Sequence, residues 1–347
     1  MSPARRPREE DVEPPHPRGI TAWFGNAAAE RALLDAYRGG RIPHAWLIGG
    51  PPGIGKATLA YRMARFVLAN PDSAAPAVQT AASLAVDPDN PVTRRIAAGA
   101  HGGLLVLERT ENESGALRTV ITVDEVRRTI GFFGRTAGEG GWRVCVVDSA
   151  DELQYPQGSN ALLKILEEPP ARALLLLVSH APGRLLPTIR SRCRQLAMRA
   201  LRPEEIAPAA AAVLEREPGD SEVAKAAAAA DGSVGRAVQL LSGEALKVRE
   251  RVVELLAALP SIDALALHAL GDALGRADPL AFAAFVDTVR TWLSARLGRG
   301  AGEPARLAQV AEVWEKLNGA AREVEMFNLD RKPMVFAVFG LLAEAAR

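Results

Sequence analysis

The sequence predicts a parallel α/β domain built around a phosphate-binding loop, followed by an all-helical C-terminal half. Three observations carry this. Between Ile20 and about Ala200, short apolar runs alternate with helix-like segments; strands buried on both faces and separated by helices argue for a parallel sheet. The first run leads directly into a glycine-rich loop and an amphipathic helix. After Leu201 the strand-like runs stop, and only helical patterns remain.

In chain order, residues 1–19 hold five prolines, four arginines and four acids with almost no apolar content, the composition of a disordered tail. His44–Thr58 reads HAWLIGGPPGIGKAT. Ala45–Ile48 is a buried strand candidate. Gly50 to Lys56 then fits G-x-x-x-x-G-K, in which Gly50, Gly53 and Gly55 let backbone N–H groups approach phosphate oxygens and Lys56 adds a point charge. Leu59, Met63, Phe66 and Val67 place one apolar face on the helix that follows. The motif ends in Ser or Thr, the Mg²⁺ ligand, but here that position is Ala57. Thr58 comes one residue late, about 100° round the helix. The loop keeps its amides for phosphate and has lost a metal ligand.

Pro71–Asn90 is rich in Ala, Pro and Asp and reads as a surface excursion with one short helix. Leu104–Leu107, Val144–Val147 and Leu174–Val178 are the further strand candidates. Val144–Leu153, VCVVDSADEL, ends its apolar run at Asp148, the carboxylate that orients Mg²⁺ in P-loop NTPases. The next position, where a hydrolytic site places a glutamate base, is Ser149. Loss of a general base costs about 10²–10⁴ in rate. Asp151 and Glu152 start the next turn and are expected to miss that spot. Ser159–Pro170, SNALLKILEEPP, is a short helix with Leu162, Ile165 and Leu166 inward and Pro169 as its stop. Five arginines (184, 190, 192, 194 and 199) and no acid lie between Gly183 and Leu201. Such a run forms a solvated face, or lends an arginine to a neighbour's triphosphate.

Residues 204–245 are alanine-rich helices broken at Glu217–Asp220 and at Asp231–Ser233, with Ser233 a helix cap. Residues 246–347 read as entirely helical, punctuated by Pro260, Pro279, Pro304 and Pro333, with Phe282, Phe285, Val286, Val289 and Leu293 in one stripe. The domain order is therefore tail 1–19, α/β domain 20–200, small helical domain 201–245 and larger helical domain 246–347.

The 347 residues carry 42 Lys+Arg against 41 Asp+Glu, a net charge of +1. That balance argues against a chain that grips DNA tightly alone. The two cysteines, Cys145 and Cys193, form no CxxC pair, which argues against a structural zinc. Cys145 lies in an apolar strand and reads as core. No apolar run approaches the about 18 residues of a membrane span, and no early run resembles a signal peptide, so a cytoplasmic protein is expected.

Taken together, GGPPGIGKAT, VCVVDSADEL, SNALLKILEEPP, TIRSRC (Thr188–Cys193) and ITVDEVRR (Ile121–Arg128) resemble the delta-prime family of bacterial DNA polymerase III clamp-loader subunits, members of the AAA+ ATPases. The resemblance implies a AAA+ P-loop domain, a helical lid (201–245) and a helical collar for oligomerisation (246–347). It implies that Arg192, in the SRC signature, acts in trans as an arginine finger on the adjacent gamma or tau subunit. Gly50, Gly53, Gly55, Lys56, Ala57, Thr58, Asp148 and Ser179 become a degenerate nucleotide site, with Ser179 or His180 at the sensor-1 position. Arg236 lies one residue from the sensor-2 position. The implied role is a non-hydrolysing stator within the DNA polymerase III holoenzyme, with gamma/tau and delta subunits as partners and the sliding clamp and primer-template DNA met through the complex. No cofactor is required, and weak ATP or ADP binding is left open. Many clamp-loader subunits hold zinc in a cysteine cluster after the P-loop helix. Pro71–Ala100 has no cysteine, so no zinc is expected, and His101 is read as a loop or packing residue. An active gamma/tau-type ATPase is the alternative, and a solitary DNA binder the third reading.

Overall fold

The structure, a computed structural model, describes residues 15–112, 115–134, 141–217, 219–275, 278–298, 304–327 and 329–346. The expected tail lies outside the described residues up to position 14. At its end, Pro17–Gly19 form a 3-10 turn whose Arg18 carbonyl accepts a 2.6 Å hydrogen bond from the Arg65 guanidinium. The chain divides into two compact units, one of Pro14–Ala237 and one built on Val238–Arg347.

The first unit holds five strands: β1 Ala45–Gly49, β2 Leu104–Leu107, β3 Arg143–Val147, β4 Ala173–Ser179 and β5 Arg194–Ala197. All pairings are parallel, in the order β2-β3-β4-β1-β5. Its helices are α1 Ala27–Arg38, α2 Lys56–Ala69, α3 Pro76–Gln79, α4 Pro91–Ala97, α5 Val123–Gly134, α6 Gln157–Glu167, α7 Pro187–Arg190, α8 Pro203–Leu214 and α9 Ser221–Ala229; α10 Val234–Leu240 runs across the boundary between the units. The four expected strands form within a residue of their predicted ends. β5 is an addition: it lies at the sheet edge, inside the arginine run, with Leu196 its one buried side chain.

Strand alternation builds two cores on opposite faces of the sheet. Trp46, Ile48, Val144, Val146, Leu174, Leu176 and Val178 join α1 and α2 in one. Leu47, Cys145, Val147, Leu175 and Leu177 join α5, α6 and α7 in the other. The layout is thus three-layered, and the parallel order places all strand C-termini at one edge, where α/β sheets bind ligands. The excursion after α2 is tied down rather than loose. Val78 and Leu84 are fully buried, and the Glu30 carboxylate accepts from both the Arg62 guanidinium (2.6 Å) and the Leu84 amide (3.0 Å).

The second unit is helical throughout its described residues: α11 Ala245–Ala257, α12 Ala264–Gly275, α13 Pro279–Gly298, α14 Pro304–Phe327 and α15 Arg331–Ala345. Phe282, Phe285, Val286, Val289 and Leu293 sit in its core, as their spacing predicts. Pro279 and Pro304 take the first positions of α13 and α14, where the missing N–H is tolerated. No described helix is long and apolar enough to cross a membrane.

Candidate functional site

The phosphate loop leaves the end of β1 between its neighbours β4 and β5. The Gly50 amide donates to the Ser179 carbonyl at 3.3 Å, and the Met198 amide, just past β5, donates to the Gly49 carbonyl at 2.8 Å. Ile54, 2% exposed, anchors the loop in the core. Gly53 has φ +72°, and a Cβ there would lie 2.0 Å from the Ser233 hydroxyl. The close approach is matched by a bond: the Gly235 amide donates to the Gly53 carbonyl at 3.0 Å. Ser233 caps α10 as expected, accepting from the Arg236 amide at 3.1 Å. The loop is therefore held on one side by the sheet and on the other by the first turn of α10.

Lys56 opens α2 and is almost wholly buried. Its ammonium donates to the Pro51 carbonyl at 2.5 Å. Burial lowers its pKa to about 8, against the opposing pull of Asp148 and Asp151. The loop thus fits a phosphate group: its glycines leave the backbone open and its lysine points along it. The metal half of the pattern does not fit, because the Ala57 methyl packs against the core and offers no oxygen. Thr58 is half-buried one residue further round the helix.

Asp148 follows β3, its amide bonded to the Leu107 carbonyl at 2.9 Å. Burial raises its carboxyl above the usual range and Glu108 adds to this, while His16 and Lys56 work the other way. Ser149, 3% exposed, turns its hydroxyl toward Asp151 Oδ2 at 3.4 Å. Glu152 pairs with Arg109 at 3.0 Å.

Asp151, in the turn after β3, joins that turn to the end of β4. Its Oδ1 accepts from the Ser179 hydroxyl (2.9 Å) and the Ala181 amide (3.1 Å), and its Oδ2 from the His180 amide (2.5 Å). Burial pulls its carboxyl up, but the His180, Ser179 and Ala181 donors outweigh burial and hold it below the ordinary value. Ser179, fully buried at the end of β4, therefore spends its hydroxyl on Asp151. His180 reaches the surface, but partial desolvation of its ring, with the Lys56 charge, holds its pKa down against the pull of Asp151. The available signal was the spacing Asp148-x-x-Asp151 directly after a strand, with a Ser-His step ending the neighbouring strand.

The structure thus gathers Lys56, Asp148, Asp151 and Ser179 at one end of the sheet, beside the glycines. Arg192 sits on a different element, between α7 and β5. Its side chain is about a third exposed, pairs with Glu167 at 2.8 Å and donates to the Thr188 carbonyl at 3.0 Å. Flanking Ile189 and Cys193 are buried, so the backbone is pinned while the side chain reaches the surface. Arg236 pairs with Asp231 at 2.8 Å.

A family profile described as DNA polymerase III, delta subunit, matches residues 25–202, the span that carries the loop, Asp148, Ser179 and Arg192. The chain belongs to that family. Two DNA polymerase III delta' subunits are similar to it. That of Pseudomonas aeruginosa is 41% identical over 47% of this chain and 46% of its own length. That of Escherichia coli is 34% identical over 67% of this chain and 64% of its own length. The matches therefore span about half to just under two-thirds of those relatives. The gamma/tau subunit of Mycobacterium tuberculosis is 30% identical over 58% of this chain and 32% of its own length. Among solved structures, a DNA polymerase III gamma subunit-related protein of Thermotoga maritima overlaps 91% of this chain and 99% of its own at 17% identity and TM-score 0.40. The RuvB Holliday junction branch migration motor of the same organism overlaps 89% of this chain and 88% of its own at 17% identity and TM-score 0.45.

Proposed function

We propose that the chain is the delta-prime subunit of a DNA polymerase III clamp loader, a non-hydrolysing stator. On this reading it joins gamma/tau and delta subunits in a ring, meets the sliding clamp and primer-template DNA through that ring, and offers Arg192 to the neighbouring subunit's ATP. One observation carries it: the two positions that would hold the metal and activate water are Ala57, whose methyl packs against the core, and Ser149, buried and turned toward Asp151. A phosphate loop without those groups can bind but lacks the means to polarise a nucleophile. The partly exposed guanidinium of Arg192, on a pinned backbone, is what remains to serve chemistry elsewhere.

The test is ATP turnover by the assembled complex. Arg192→Ala should leave assembly intact and slow the site that this arginine serves by about 10³ or more. Undiminished turnover at that site would refute the assignment. An active gamma/tau-type ATPase is the second reading, favoured by the intact Gly50, Gly53, Gly55 and Lys56 and by the gamma/tau relatives. It requires the purified chain alone to release phosphate steadily from Mg²⁺-ATP and to stop on Lys56→Ala.

A further inference from the structure

We propose that Asp151 is a positioning residue for Arg192: it fixes the start of the segment that presents the guanidinium. This deepens the finger reading above and rests on it. The segment in question runs from the end of β4 to β5, Ser179 to Cys193. At its start, one carboxylate collects donors from three successive residues, the Ser179 hydroxyl (2.9 Å) and the amides of His180 (2.5 Å) and Ala181 (3.1 Å). The next residue, Pro182, lies hard against β1: a Cβ on Gly49 would stand 2.4 Å from Pro182 Cγ. The turn that carries Asp151 and the segment it holds then share a core. Ala150 and Leu153, on either side of Asp151, are buried in the same apolar cluster as Leu185, Ile189 and Cys193.

Those apolar side chains set the depth of the segment but tolerate sliding, because burial is non-directional. Charge-assisted hydrogen bonds to backbone amides do not slide; they fix orientation. The carboxylate therefore ties the Asp148 turn to the Arg192 segment. Each end of the tie is short: the carboxylate is three residues from Asp148, and Ala181 is eleven from Arg192. Asparagine cannot replace it. Its amide nitrogen would face at least one donor where Asp151 presents an acceptor.

The experiment uses the assembled complex with the neighbouring ATP-binding subunit and measures kcat and KM for ATP, together with assembly by gel filtration. Asp151→Asn should assemble normally, keep KM within about twofold and lower the kcat of the Arg192-served site by about 10- to 100-fold, the penalty of a small misplacement. In an Arg192→Ala background the same change should give no further loss, because a positioning residue acts through the group it positions. Ser179→Ala, which deletes one donor, should give a smaller loss in kcat alone, and it carries the test if Asp151→Asn fails to fold. Normal kcat in Asp151→Asn and Ser179→Ala, beside a slowed Arg192→Ala, would overturn this inference and leave the finger reading standing. An added loss in the Arg192→Ala background would overturn it too. If Arg192→Ala itself turns over normally, the finger reading fails first and this inference falls with it.

Discussion

Lys56 concentrates the tension of this site in one side chain. It is 3% exposed and its pKa is lowered to about 8, so near neutral pH a buried ammonium is held in place by the Pro51 carbonyl and two acids nearby. Below pH 8 lysine is charged in both the folded and unfolded chain, and burial of the charge opposes folding throughout. Between about 8 and 10.5 the unfolded chain binds more protons at this residue than the folded one, so stability rises with pH across that window. The full rise is up to about 3 kcal/mol. Lys56→Met removes the charge but also the bond to Pro51, worth about 1 kcal/mol. At pH 7 it should therefore be more stable than the parent by about 2 kcal/mol, and the gap should close as pH climbs past 8. Urea denaturation of both proteins from pH 7 to 10.5 measures this. A gap that widened with pH would mean that Lys56 is not penalised by burial. Ala57, next along the helix, is the opposite case: a half-buried methyl against the core where the motif has a hydroxyl.

Among the elements, the loop and the first turn of α10 form one docked pair. The Gly235 amide bonds the Gly53 carbonyl, and Gly53 leaves no room for a side chain beside Ser233. Gly53→Ala should break this pair, because the new methyl overlaps the Ser233 hydroxyl and because alanine at φ +72° is itself strained by about 1–2 kcal/mol. The expected result is a loss of about 1–3 kcal/mol and faster hydrogen exchange at the Gly235 amide. Ser233→Gly added to it should recover the part due to overlap, less a few tenths of a kcal/mol for the lost α10 cap, and not the part due to φ. Unchanged exchange at Gly235 would show that the docking does not depend on that gap. These elements also show what the sequence discloses. β1, β3 and β4 were legible because strands buried on both faces leave unbroken apolar runs, and Ser233 because a cap needs its hydroxyl at a fixed offset. β5 was hidden because an edge strand buries little: of Arg194–Ala197 only Leu196 is buried, and the run begins with Arg194 and Gln195. The bonds of Asp151 were hidden for a different reason. Its partners are two backbone amides and a serine about thirty residues away, and amides carry no residue code to read.

For the molecule as a whole, the two units have separate cores. The cluster of the second unit draws all its buried members from Val248 to Leu342, whereas those of the first unit draw theirs from Ala29 to Met198. Separate cores imply separate cooperative transitions, since each unit loses its own buried surface when it melts. Phe285 is fully buried and stacks on Phe282 with ring centroids 6.4 Å apart. Truncating it to alanine should cost about 3–5 kcal/mol in the helical unit. Leu176, fully buried in the central strand β4, should cost about 2–5 kcal/mol as alanine in the α/β unit. Calorimetry of the full chain should then show two transitions, with Phe285→Ala lowering one and Leu176→Ala the other. Residues 242–347 made alone should fold to a helical circular-dichroism spectrum, and Phe285→Ala should cost the same there as in the full chain, within about 0.5 kcal/mol. One transition shifted equally by both changes would instead mean that the helical unit and the α/β unit melt as a single body.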